Sequence, residues 1–126
     1  MFDGCSKLTT FSSDLSSLTD GSYMFYNCTN LVTFASDLSK LDNGYYMFYN
    51  CNLSLDSIEC IADSLPTVDT SQNNHYIDIG TLVTASTYAP IEKPSQQINW
   101  KETMYGPAII KMENKGWVVV SNNIRI

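Results

Sequence analysis

Cationic side chains are scarce in this sequence. Seven lysines and arginines stand against thirteen aspartates and glutamates, a formal net charge of −6. No basic cluster occurs, so a surface that tracks nucleic-acid phosphates is not expected. Histidine is scarcer still: His75 is the only imidazole, and any Ser-His-Asp or Cys-His arrangement would have to use it. Nothing nearby in sequence positions a partner for it, and no phosphate-binding glycine loop is present, so an enzyme is not expected and no cofactor is implied. No apolar run is long enough to span a bilayer, which argues against membrane insertion. The opening stretch MFDGCSKL has no basic flank leading into an apolar segment, so no signal peptide is visible in this chain. The four cysteines, Cys5, Cys28, Cys51 and Cys60, make no CxxC pair, which disfavours zinc and thioredoxin-like redox chemistry.

What the chain does have is a repeated line. Met1, Met24 and Met47 fall 23 residues apart, and so do Phe2, Phe25 and Phe48, and Cys5, Cys28 and Cys51. Leu8 aligns with Leu31, Phe11 with Phe34, Asp14 with Asp37, Gly21 with Gly44, and Tyr23 with Tyr46. With 44% hydrophobic and 16% charged residues over 126 positions, the composition is that of one modest globular domain. One 23-residue coil cannot bury its own apolar side chains, so it must stack on a neighbour presenting the same ones. Each apolar position then becomes a ladder of Met on Met, Phe on Phe and Cys on Cys. A period in the twenties with leucine and phenylalanine at fixed offsets points to a leucine-rich solenoid. Leu8 to Phe11 and Leu31 to Phe34 are expected as short parallel strands. Tyr-Met-Phe-Tyr-Asn-Cys is expected as an irregular or helical turn on the opposite side.

The line M-F-x-x-C-x-x-L-x-x-F-x-S-D-L-S-x-L-x-x-G resembles the BspA-like class of leucine-rich repeats. The resemblance covers residues 1 to about 65, and Asn114 to Val119 is similar to that family's closing segment. It implies an α/β fold: a short leucine-rich-repeat solenoid with parallel strands, an irregular or helical convex side, and a helix-and-strand C-terminal cap. It also implies binding and adhesion at a bacterial surface, toward a protein or glycan ligand, and hence an extracellular or cell-surface location. The alternative is a structural or host-attachment component of a phage virion. No catalytic motif is carried over.

The third copy breaks after Cys51, and SLDSIECIADSLP reads as a helix, with Ser54 as N-cap and Pro66 as stop. Residues 1–65 are therefore expected to hold the repeats and this helix, and residues 66–126 a capping segment of the same domain. Within the cap, His75 to Gly80 and Trp117 to Val120 have strand patterns, Pro107 to Asn114 is helical, and Gly116 is placed to end that helix. Met1 occupies the repeat position of Met24, so the first coil enters partway through the line with its apolar ladder uncovered. Such an edge invites self-association or further repeats. A trimmed chain, a natural fragment and an assembly subunit all fit.

Three groups of residues are candidates for contact or ligation. Tyr26 and Tyr49 align with Asp3, a variability expected of solvent-facing positions, whereas the unvarying Tyr23 and Tyr46 are expected to pack inside. The exposed pair would offer a platform for a sugar ring or a partner side chain. Tyr88, Trp100 and Tyr105 frame an insertion rich in polar residues and proline, a second contact candidate because loops on a rigid scaffold often carry function. Asp14 and Asp37 are a weak calcium alternative, with Asx turns the favoured reading. The cysteine ladder is expected to hold free thiols acting as small buried hydrophobes rather than a soft-metal site.

Overall fold

The computed structural model describes residues 2–70, 74–82 and 99–126. They form a mixture of helices and small sheets with no closed barrel. Strands β1 (Thr10–Phe11) and β2 (Thr33–Phe34) pair in parallel, Thr10 opposite Thr33 and Phe11 opposite Phe34, an offset of one repeat. Both are shorter than expected. The Leu8 N–H donates to Cys5 O and the Leu31 N–H to Cys28 O, so each leucine closes the preceding turn instead of opening a strand.

The opposite side of each coil is also laddered. The Phe2 N–H donates to Met24 O (2.8 Å) and the Phe25 N–H to Met47 O (2.9 Å). Between these backbones the Phe rings stack: Phe2 on Phe25 at 5.4 Å and 6°, and Phe25 on Phe48 at 5.4 Å and 3°. Phe11 on Phe34 makes the neighbouring column, and rings of the two columns meet edge to face. Met24, Phe25, Cys28, Leu31, Phe34, Met47, Phe48 and Cys51 are buried, while Phe2, Cys5 and Leu8 of the first line are half-buried against them. Burial of side chains this large is the main stabilising term for such a core, about 1.5–3 kcal/mol each.

The stack ends differently on its two sides. On the β2 side comes helix α1 (Leu55–Ser64), started by Ser54, whose side chain accepts the Ser57 N–H. A helix presents no strand edge, so its serines substitute for one. Ser57 Oγ accepts the Phe34 N–H (2.9 Å) and donates to Val32 O (2.8 Å), and Ser64 Oγ accepts the Leu38 N–H (3.2 Å). On the turn side comes strand β3 (Tyr76–Asp78), which bridges Gly44 in parallel through Ile77. The Gly44 N–H donates to Tyr76 O and the Phe48 N–H to Asp78 O, continuing the ladder of the coils.

A single turn of 3-10 helix (Trp100–Glu102) leads to α2 (Gly106–Asn114). Gly116 and Trp117 close α2 by donating to Glu113 O and Met112 O, the paired bonds of a Schellman ending. Strand β4 (Val118–Ser121) then pairs with β3 in parallel and with β5 (Ile124–Arg125) antiparallel. The β4–β5 hairpin is an addition to the sequence reading. Its turn residues Asn122 and Asn123 both have positive φ, the conformation that Asn favours in tight hairpins. The buried Asp78 carboxylate accepts the N–H groups of Gly80, Asn122 and Asn123, fixing the turn. Lys115 Nζ donates to Ala62 O, Asp63 O and Leu65 O, satisfying the end of α1 from the end of α2. Among the described residues no helix is long and apolar enough to cross a membrane.

Candidate functional site

The turns containing Tyr23 to Cys28 and Tyr46 to Cys51 share their N–H groups between two partners. Met24, Tyr26 and Cys28 donate locally, to Gly21, Tyr23 and Phe25, whereas Tyr23, Phe25 and Asn27 donate to Tyr45, Met47 and Tyr49 of the next coil. Tyr23 and Tyr46 adopt positive φ of 59° and 56°, and Asn27 and Asn50 both 62°, with Gly4 at the equivalent first-coil position at 73°. Met24, Phe25 and Cys28 point into the core while the tyrosines stay outside it.

Tyr23 and Tyr46 therefore differ from expectation. Tyr23 is 45% exposed and Tyr46 is half-buried, on the same face as Tyr26 and Tyr49. Repetition of the residue type here reflects stacking of one copy on the next rather than burial. Tyr23 stacks on Tyr46 at 4.9 Å and 18°, and Tyr26 on Tyr49 at 4.9 Å and 8°. The two columns touch along their sides, Tyr23 to Tyr26 at 5.4 Å and Tyr46 to Tyr49 at 5.3 Å. Beside them the Asn50 amide donates to Asn27 Oδ1, and Asn122 Oδ1 accepts the Asn50 N–H, so an asparagine column borders the aromatic one.

Sequence reasoning missed the other end of the tract. Tyr45, 38% exposed, meets Tyr46 edge to face at 4.4 Å and Tyr76 at 5.9 Å and 85°. Tyr45 stands where the previous copy has Ser22, so the period gave no warning of it, and Tyr76 arrives on β3 from outside the repeats. The adjacent Tyr45 phenol, by its hydrogen bond, pushes the Tyr46 hydroxyl up to about 12. Tyr45, Tyr76, Asn43 and Asn74 line an open cleft of about 390 Å³.

The remaining candidates fall elsewhere. Tyr105 is a correction: it is 2% exposed and takes the N-cap position of α2, because its ring joins the core with Ile109 and Met112. Trp100 packs against that core, its ring edge to face with Tyr105 at 5.9 Å. Tyr88 and Met1 lie outside the described residues. Asp14 Oδ1 accepts the Ser16 N–H and Asp37 Oδ1 the Ser39 N–H, both Asx turns at 2.9 Å. The Ser16 contacts hold the Asp14 carboxyl below its ordinary value. Among the described residues no group of three or more His, Cys, Asp or Glu could hold a metal ion.

All four cysteines are free thiols. Two of them are more than apolar fillers, since Cys28 Sγ donates to Phe2 O (2.9 Å) and Cys51 Sγ to Phe25 O (3.1 Å), each reaching the previous coil. Burial pushes the Cys51 thiol up to about 12 and raises Cys28 as well. His75 has partners that the sequence did not reveal: its Nδ1 lies 3.0 Å from Asp42 O and 3.3 Å from Asp42 Oδ1, and its ring meets Trp117. A second open groove, about 530 Å³, is lined by Asp37, Asp56, Glu59, Cys60 and Asp63 among others, with Asp63 already paired to Lys111. Comparison with family models, curated proteins and solved structures finds no match to this chain.

Proposed function

We propose that this chain is a non-enzymatic interaction or adhesion module of a bacterial surface protein. In this reading the stacked coils form a short leucine-rich solenoid of the BspA-like kind, closed at one end by α1, α2 and the β3–β5 sheet. The observation that carries the reading is the tyrosine tract. Tyr23, Tyr26, Tyr45, Tyr46 and Tyr49 lie side by side at the surface, although tyrosine buries large apolar area when a partner covers it. The Tyr23 N–H to Tyr45 O, Asn27 N–H to Tyr49 O and Gly4 N–H to Tyr26 O bonds tie this face between layers, and the ring stacking holds the side chains, so less ordering entropy is left to oppose binding. Tyrosine is enriched among residues that dominate binding energy at interfaces.

The test uses beads coated with the full chain, under flow over mucin glycoprotein and over collagen, with albumin as blank. Attachment above the blank on either surface is expected, together with its loss in the fourfold variant Tyr23→Ser, Tyr26→Ser, Tyr46→Ser, Tyr49→Ser. Attachment no better than the blank, or attachment that survives the four substitutions, overturns the reading.

A further inference from the structure

We infer that the cleft lined by Tyr45, Tyr76, Asn43 and Asn74 holds one ring of an uncharged glycan. This rests on the tyrosine face being a contact surface, and it names the ligand class for one end of that face. The two rings stand at 85° with centroids 5.9 Å apart, so they form a floor and a wall rather than a flat patch. Tyr45 also meets Tyr46 at 4.4 Å and Tyr23 at 6.3 Å, contacts that hold its ring in place before any ligand arrives. The floor and the wall belong to different layers joined by the Gly44 N–H to Tyr76 O bond at 2.8 Å.

The polar part of the lining consists of two amides. Asn43 Oδ1 accepts the Tyr45 N–H at 2.9 Å, which fixes the orientation of that side chain. Its Nδ2 then remains a donor, while the exposed Asn74 supplies both a donor and an acceptor. A pyranose ring has a C–H face that packs on an aromatic ring and a rim of hydroxyls that each donate and accept. Side-chain amides answer that rim, whereas among the described residues of the lining a charged ligand finds no counter-charge. The neighbouring Asp42 carboxylate is turned toward His75, and the net charge of −6 repels polyanions. A cleft of about 390 Å³ with aromatic walls and a few placed polar groups suits a small ligand.

The experiment is a two-dimensional NMR titration of the full chain with the methyl glycosides of glucose, galactose, mannose and N-acetylglucosamine, and with sialic acid as the charged control. At least one neutral glycoside is expected to move the side-chain amide resonances of Asn43 and Asn74, and sialic acid to leave them in place. Tyr45→Ala is expected to weaken that binding about tenfold, the size of one lost stacking contact. Asn74→Ala, an exposed position whose change leaves folding intact, weakens it in the same direction. Glu59→Gln in the separate acidic groove leaves it unchanged. Silent amides with all four glycosides, or wild-type affinity retained in both Tyr45→Ala and Asn74→Ala, overturn the inference. If the amides stay silent while bead attachment still depends on the four tyrosines, the cleft assignment falls and the contact face stands. Attachment independent of those tyrosines removes the face itself.

Discussion

Replacing Ser57 with alanine removes one oxygen atom at the point where the repeats meet the helix that follows them. Ser57 Oγ accepts the Phe34 N–H at 2.9 Å and donates to Val32 O at 2.8 Å, and it lies 2.9 Å from Ser54 Oγ. Val32 O keeps a second donor, the Ser54 N–H at 2.9 Å, and Ser54 Oγ keeps the Ser57 N–H. The Phe34 N–H keeps nothing. Phe34 is 1% exposed and Ser57 2%, so bulk water cannot reach the orphaned donor. A buried unsatisfied group costs about 1–3 kcal/mol, and about 2 kcal/mol is expected here. For a domain of this size that is a fall of about 6–12 °C in Tm. Urea unfolding followed by circular dichroism reads the change as a lower midpoint with an unchanged slope. Hydrogen exchange at the Phe34 amide should accelerate as well. Ser64→Ala is the comparison: Leu38 is as buried as Phe34, but its bond is longer, 3.2 Å, and Ser64 is half-buried, so water can take the place of the lost hydroxyl and a smaller cost, below about 1 kcal/mol, is expected. Equal stability of Ser57→Ala and wild type, or equal costs at the two serines, would refute the claim that a hydroxyl closes this strand edge.

Three further outcomes follow from the same packing. An added Cβ at Gly44 meets Tyr76 O at 2.9 Å and Ile77 Cδ1 at 2.6 Å, whereas at Gly21 it meets the ends of Met47 and Leu41. Gly44→Ala should therefore cost about 1–3 kcal/mol and Gly21→Ala less than about 1 kcal/mol in urea unfolding, the order reversing if β3 does not lie against the third coil. The Cys51 thiol, buried and pushed up to about 12, should resist alkylation at pH 8 until the chain unfolds. Mass spectrometry showing Cys51 labelled ahead of Cys5 would contradict that. The Tyr46 value stands above that of an unfolded tyrosine, so its contact with Tyr45 is complete below the ordinary range and is lost as pH rises through about 12. Ultraviolet titration should show late phenol ionisation that Tyr46→Phe diminishes; an unchanged curve refutes the pairing.

Much of the layer-by-layer arrangement was legible because the sequence repeats whatever each layer needs in order to be buried. Phe2, Phe25 and Phe48 stack because identical rings at one spacing have only each other to pack on. The helix after the third copy was equally readable, since Ser54 caps it and Pro66 follows it. Asp14 and Asp37 announced their turns through residue type alone. Exposure was less legible. Tyr23 and Tyr46 keep their identity through stacking outside the core, and a repeat pattern cannot distinguish that from stacking inside.

The ends of a periodic array obey no period, and there the tertiary structure decided. Tyr76 meets Tyr45, Ser57 replaces a strand, His75 reaches Asp42, and Lys115 closes α1 across roughly half a hundred residues of chain. Ser57 alone keeps the repeat spacing, 23 residues beyond Phe34 as Phe34 is beyond Phe11, but with a hydroxyl in place of a strand edge; the other pairs have no counterpart one repeat away, so no internal alignment reveals them. What the sequence alone determined is the translation from one layer to the next, because each copy must fit its twin. How the last copy is covered depends on matching unlike surfaces in three dimensions, and the candidate cleft lies at that junction.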